Sequence, residues 1–139
     1  MGTYGESKIG LVRKVNEDSF YISHEKNVLA VADGMGGYVG GEIASKTAVE
    51  AIAYYFKNFS DAAPVQLEKA IQDANSSILS KTLIDPSLKG MGTTVSLVTL
   101  ARHMAFWGHV GDSRIYLYRD GEFTQISADH TIVQVLLDK

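Results

Sequence analysis

The apolar residues of this 139-residue chain change their period twice, and the change restricts the folds open to it. From Gly41 onward Ile43, Thr47, Ala51, Tyr55 and Phe59 recur every four residues, with Ala44, Ala48, Ile52 and Phe56 alongside, which makes one wide helical stripe. A second helix is predicted to open near Pro64, with Asp61 available as its cap, and to carry Leu67, Ile71, Ala74 and Ile78 on one face. Two helices joined by so short a connection are expected to pack antiparallel.

On both sides of this pair the pattern is that of strands. Ile9 to Val15, Asp18 to Ser23 and Val28 to Ala32 are short apolar runs with polar breaks, and they predict three strands, the last stopped by Asp33-Gly34. Gly90-Met91-Gly92 is expected to break the helical stretch. Four further strands are predicted after it, at Thr93 to Leu100, Met104 to Val110, Arg114 to Tyr118 and Glu122 to Ile126. Ala101-Arg102-His103 suits a hairpin connection, and Asp120-Gly121 suits a tight turn because glycine accepts a positive φ. Thr131 to Leu137 reads as the start of another helix. Strands, then two helices, then strands argue for a layered α+β domain, one unit over residues 1–139, and a hydrophobic content of 45% is enough for a core.

Composition narrows the chemistry. A net charge of −3, with acids scattered among bases, offers no basic surface of the kind that gathers nucleic acid. The chain has no cysteine, so neither a disulfide framework nor a thiolate metal site is open to it, and a metal would be held by oxygen or imidazole, which favours magnesium or manganese. No apolar run is long enough for a signal peptide or a membrane span, so the expected location is cytoplasmic.

Three segments could carry that chemistry. In Val31-Ala32-Asp33-Gly34-Met35-Gly36-Gly37 a carboxylate sits at the end of a buried strand and enters a glycine-rich loop. Hard divalent ions take carboxylate and carbonyl oxygens, and Gly34 would let its backbone carbonyl approach the ion that Asp33 binds. A plain Asp-Gly turn is the competing reading. Upstream, Arg13-Lys14-Val15-Asn16-Glu17-Asp18 joins a cation to two acids, and in an extended segment Arg13, Val15 and Glu17 share one side. A guanidinium there suits phosphate, to which it donates two parallel hydrogen bonds; a solvated charged strand edge is the alternative. Gly108 to Arg114 places Asp112 at the junction of two strands, as a further ligand or as the cap of a hairpin or bulge.

Other chemistries lack their residues. Val39 stands where a dinucleotide fingerprint needs its last glycine, and no Gly-Lys-Ser/Thr follows for a P-loop. Neither a Gly-x-Ser-x-Gly elbow nor a thiolate is present, so metal-activated water fits best. His109 and His130 read as hydrogen-bonded structural residues.

Together, Gly10-Leu11-Val12-Arg13 with Asn16-Glu17-Asp18, Ala32 to Gly37, Gly41-Glu42-Ile43-Ala44-Ser45, Gly90-Met91-Gly92-Thr93-Thr94 and Val110-Gly111-Asp112-Ser113-Arg114 resemble the bacterial protein phosphatase 2C family, and Ser127-Ala128-Asp129-His130 extends the likeness through nearly the whole chain. The resemblance implies a sandwich of two antiparallel sheets flanked by helix pairs, with a dinuclear metal site at one end between the sheets. Asp33 would bridge two Mn2+ or Mg2+ ions, Gly34 would ligate one through its carbonyl, Glu17 and Asp18 would act around the same centre partly through water, and Asp112 matches a residue associated with a third ion. Arg13 would bind the phosphate of a phosphoserine or phosphothreonine in a protein substrate, which an opposing Ser/Thr kinase system would supply.

Two departures from the family bear on these expectations. Met35 stands where eukaryotic relatives often carry a histidine, and methionine is what bacterial members commonly have there. Family domains also continue for roughly another hundred residues, with acids that complete the metal shell. The chain therefore resembles the first half of the sandwich, incomplete at its carboxyl end, and on its own is expected to bind metal weakly or not at all. A non-catalytic module that recognises a phosphoprotein or a regulator is the rival reading, and self-association through exposed strand edges is a further expectation.

Overall fold

A computed structural model describes residues 2–58, 64–101 and 103–130. Strands β1 (Asp18–Ser23) and β2 (Val28–Met35) form an antiparallel pair. Helices α1 (Gly37–Asn58) and α2 (Pro64–Ile84) follow, then β3 (Gly92–Thr93), β4 (Val95–Ala101), β5 (Met104–Val110), β6 (Tyr116–Arg119) and β7 (Glu122–Gln125). The main sheet runs β1-β2-β4-β5, all neighbours antiparallel, with β3 paired to the far end of β2; β6 and β7 make a separate two-stranded sheet. This is the α+β fold with two antiparallel sheets expected from the sequence.

One face of the main sheet packs on the helices. Val28, Ala30 and Ala32 of β2 and Leu97 of β4 are buried on it, as are Ala44, Ala48 and Ile52 of α1 and Leu67, Ala70 and Ala74 of α2. Alanines on both sides let α1 lie close over β2, where larger side chains would hold it away. The helices are antiparallel, because the Tyr55 hydroxyl donates to Gln66 next to their connection while Thr47 and Ser80 line one groove farther off. On the other face Phe20, Ile22, Leu29, Val31 and Val98 border a hollow of about 520 Å³. Val31, at 48% exposure, shows how open that face is.

Several expectations need correction. Ile9 to Val15 is not a strand: Gly10 has φ +73°, the chain turns there, and Leu11 and Val12 project fully into solvent. β1 begins only at Asp18, where β2 supplies a partner, so the argument that put Arg13, Val15 and Glu17 on one side of a strand fails. α1 begins at Gly37, a turn before the stripe starts, because packing overrides the poor helix propensity of its glycines. α2 ends at Ile84, ahead of Gly90-Met91-Gly92, since Pro86 cannot continue it and the Asp85 side chain caps a 3-10 turn over Pro86–Leu88. The expected strand from Thr93 is split at Thr94 into β3 and β4.

The remaining turns agree with expectation. Ala101 pairs with Met104 across the β4–β5 hairpin, and Asp120 (φ +54°) and Gly121 (φ +85°) form the tight β6–β7 turn. Asp61, Phe59, Arg102 and the segment 131–137 lie outside the described residues. Among the described residues no helix is long and apolar enough to cross a membrane.

Candidate functional site

Asp18 and Asp33 are register partners at the rim of the sheet, the first residue of β1 opposite the end of β2. Cross-strand partners carry their side chains on the same face, so the pairing alone brings two carboxylates together. Asp33 is held firmly by its backbone: its amide donates to Thr94 Oγ1 (2.9 Å), and its carbonyl accepts from the Thr94 amide (2.9 Å) and from Thr93 Oγ1 (2.9 Å). Asn16 shapes the entry to β1, its side-chain oxygen accepting from the Asp18 amide at 3.0 Å while its amide nitrogen donates to Ser7 Oγ at 2.7 Å.

The electrostatics mark Asp33 as the centre. Its carboxyl is raised above the ordinary carboxylate range by desolvation first, then by repulsion from Asp18 and a hydrogen bond with it, and then by the charges of Asp112 and Glu17. Acids from residues 17, 18, 33 and 112 thus bear on one position, although β2, both helices and β4 separate them in sequence. Proton affinity raised by neighbouring acids is what a divalent cation would relieve.

Glu17 reaches the site from the turn before β1. Its carbonyl accepts from the Gly34 amide at 3.0 Å, and its carboxylate lies against the backbone of Gly41, where an added Cβ would come within 2.2 Å of Oε1. Gly34 is needed for a related reason: a Cβ on it would meet the Gly41 carbonyl oxygen at 2.0 Å and the Glu17 carbonyl oxygen at 2.7 Å. The glycine after Asp33 is therefore required by the close approach of α1 and the β1 turn, whatever its own carbonyl does. Arg13 Nη1 lies 3.7 Å from Glu17 Oε2, so a turn rather than a strand brings the guanidinium to the acids. At 76% side-chain exposure it is available to a ligand.

Asp112 follows β5 in a loop where Gly111 has φ +104°. The Gly111 carbonyl accepts from the His130 amide (2.7 Å) and from His109 Nε2 (2.9 Å), while His109 Nδ1 meets Ser96 Oγ (2.9 Å). Both histidines thus touch structural groups. Beside the acids is a cleft of about 320 Å³ bordered by Glu6, Ser7, Asp18, Asp33, Ser113 and Arg114. The larger hollow on the apolar sheet face adjoins this cleft, sharing Glu6, Phe20, Val31 and Arg114 with it, but is not lined by Asp18 or Asp33.

The donor set can be tested against a hard divalent ion. Its oxygen ligands are the right type, and their mutual repulsion is of the right sign. Among the described residues, however, no three Asp, Glu or His side chains lie close enough to form a closed cluster. The arrangement fits an ion held by the Asp18–Asp33 pair, with Glu17 and Asp112 near by and water completing the shell.

Thr94, Ser113 and Arg114 fall within the sequence motifs, but the sequence assigned them no role in this region. Thr94 Oγ1 lies 2.6 Å from Ser113 Oγ. The Arg114 guanidinium grips Asp129 with its Nη2 at 2.6 Å and its Nε at 3.0 Å, which holds Arg114 above and Asp129 below their ordinary values. A threonine pair following a glycine-rich break, at the entry to a strand, was the available signal for Thr94.

Comparison with known proteins gives a consistent result. Residues 11–132 match the protein phosphatase 2C family. The serine/threonine protein phosphatase PstP of Mycobacterium tuberculosis is 43% identical over 135 residues, covering 94% of this chain and 25% of that protein. The serine/threonine phosphatase stp of Listeria monocytogenes is 33% identical over 136 residues, covering 92% of this chain and 54% of that one. The crystal structure of the PstP catalytic domain in complex with two manganese ions superposes with a TM-score of 0.87 at 42% identity, covering 96% of this chain and 57% of that one. The chain thus spans between a quarter and about half of the curated relatives it matches.

Proposed function

The chain belongs to the protein phosphatase 2C family, and from that premise we propose that it carries the phosphate-facing half of a site that hydrolyses phosphoserine or phosphothreonine in proteins. The observation that carries this reading is the convergence of Asp18, Asp112 and Glu17 on Asp33, from segments far apart in the chain. Asp33 and Asp18 would hold Mn2+ or Mg2+, with the Gly34 carbonyl, Glu17 and Asp112 contributing directly or through water. The manganese-bound structure of a relative supports the choice of ion. Ions bound there would acidify a water for attack and draw charge from the phosphoryl oxygens.

The side chains have separate tasks. Arg13, exposed and only loosely paired with Glu17, would turn toward the phosphate and orient it with two parallel hydrogen bonds. The backbone bonds to Thr93 and Thr94 would keep the Asp33 carboxylate from drifting as charge at the site changes. The partners implied are phosphorylated proteins and the Ser/Thr kinase that modifies them. A non-catalytic module that binds a phosphoprotein or regulator is the second reading, favoured by the lack of a closed three-acid cluster among the described residues.

Hydrolysis of a phosphothreonine peptide with added manganese separates the two. The comparison is between this chain, its Asp33→Ala variant and a version extended to the length of the related catalytic domains. Manganese-dependent turnover by the extended form, lost in Asp33→Ala, supports the enzyme reading. Peptide binding without turnover in both lengths supports the module.

A further inference from the structure

Two acid-bearing segments far apart in sequence, the end of β2 and the loop after β5, meet at one side chain. Thr94 is 8% exposed and interrupts β3 and β4. Its Oγ1 accepts from the Asp33 amide at 2.9 Å and lies 2.6 Å from Ser113 Oγ, the residue after Asp112. Because a backbone amide can only donate, Thr94 Oγ1 is the acceptor in the first bond; its remaining lone pair and its proton are both open to the serine. The Thr94 amide returns a bond to the Asp33 carbonyl at 2.9 Å, so the two residues exchange a closed pair. The methyl group is used as well: a Cβ added to Gly111 would come within 2.6 Å of Thr94 Cγ2, which shows how closely that methyl seats against the backbone preceding Asp112.

We propose that Thr94 is a positioning residue whose hydroxyl, shared between the Asp33 amide and Ser113, sets the separation of the Asp33 and Asp112 carboxylates and so the affinity of the site for its ion. The inference rests on the reading of these acids as ion ligands. It goes beyond that reading by naming the part that couples two ligand segments. Asp112 stands among the charges felt at Asp33, as coupling at short range requires. The mount on which Asp112 sits is otherwise secured from the far side, where the Gly111 carbonyl takes the His130 amide and His109. Thr94 closes the loop from the Asp33 side.

The test uses the 139-residue chain and the variants Thr94→Val, Thr94→Ser and Ser113→Ala. Valine keeps the methyl and loses the hydroxyl, while serine does the reverse. Mn2+ affinity, measured from the electron paramagnetic resonance signal of the free ion, is expected to fall about tenfold in Thr94→Val, the lower end for groups that orient metal ligands. It should recover to within about threefold of the parent in Thr94→Ser, and fall in Ser113→Ala although the Asp33–Thr94 exchange is intact. Amide hydrogen exchange gives a readout that needs no metal. The His130 amide, which reports the Gly111 loop, should exchange faster in both Thr94→Val and Ser113→Ala, whereas the Asp33 amide should do so only in Thr94→Val. Unchanged exchange at His130 in both variants, or a Thr94→Ser affinity as weak as that of Thr94→Val, overturns the proposal. If the 139-residue chain binds no Mn2+, the affinities are compared in the form extended to the length of the related catalytic domains; an extended form that binds none strikes at the functional reading instead, and the exchange experiment then decides the coupling alone.

Discussion

Replacing Gly34 by alanine tests whether the glycine after Asp33 is there for packing. An added Cβ would sit 2.0 Å from the Gly41 carbonyl oxygen and 2.4 Å from its carbon, with the Glu17 carbonyl oxygen 2.7 Å away. Ordinary contact begins near 3.4 Å, so the backbone of α1 would have to retreat by about 1.4 Å. All the obstructing atoms are backbone, so no side-chain rotation relieves the clash. Overpacking in a core commonly costs about 1–3 kcal/mol, and a clash that moves a helix belongs at the upper end, about 3 kcal/mol. With an m-value of roughly 2 kcal/mol per M urea, the unfolding midpoint should drop by about 1.5 M. Gly121→Ala is the control, since Gly121 has φ +85° and open space around it. There only backbone strain acts, at about 1 kcal/mol or roughly 0.5 M. A Gly34→Ala midpoint no lower than that of Gly121→Ala refutes the packing argument, and the simple Asp-Gly turn would then explain the glycine.

Three further outcomes follow from the same geometry. Asp33→Asn in the metal-free chain, kept so with chelator, should raise stability at pH 7 by up to about 1 kcal/mol, the scale of like charges facing each other across strands. Because the Asp33 carboxyl is raised in the folded chain, the fold binds the proton more tightly than the unfolded chain does; stability therefore falls as pH rises from the ordinary carboxylate range through the raised value. Urea midpoints measured across that window should show a flatter slope for Asp33→Asn, and identical slopes would count against the crowding of charge. Thr99 is fully buried and its Oγ1 has no hydrogen-bond partner among the described residues, so Thr99→Val should stabilise the chain by about 1 kcal/mol, seen as a higher urea midpoint; a loss would mean that the hydroxyl has a partner, such as a buried water. Arg13→Ala should alter stability by less than about 0.5 kcal/mol, because its pair with Glu17 is long and exposed, yet lower kcat/KM of the extended form on a phosphopeptide by about tenfold or more. A change within twofold removes Arg13 from phosphate binding.

Much of the fold was legible because burial imposes a period. The stripe through Ala44, Ala48, Ile52 and Phe56 was readable since each of these residues faces the sheet, and the runs from Val28 and Thr93 were readable since strands in mid-sheet must be apolar toward the helices. Ile9 to Val15 misled because its apolar residues are exposed, and a pattern reports burial only where a partner element exists to bury it. The early start of α1 was hidden because the glycines at Gly40 and Gly41 add nothing to an apolar stripe, yet their missing side chains are what allow Met91 and the Glu17 carboxylate to approach. At the site, Asp33 and Asp18 stood out as acids beside a strand, but their register partnership depends on the β1–β2 turn and could not be read from spacing alone. The bridging role of Thr94 was not legible because a hydroxyl that joins two segments leaves no periodic trace.

The position of the acids follows from the same electrostatics that would make them useful. Two carboxylates facing each other in the middle of a sheet would be costly, since neither could recover its lost hydration. At the rim, where β1 begins and near the end of β2, water reaches Asp18 and Asp33 while the backbone bonds of Asp33 fix the position of its main chain opposite Asp18. Desolvation of Asp33, and after it the repulsion from Asp18, Asp112 and Glu17, therefore persist in the metal-free fold as a raised proton affinity. An ion entering between them would remove that repulsion as well as gaining its own contacts. Rigid mounting through Thr93, Thr94 and Gly34 would thus contribute to the affinity for an ion held there, and an open loop bearing the same acids would be a poorer site.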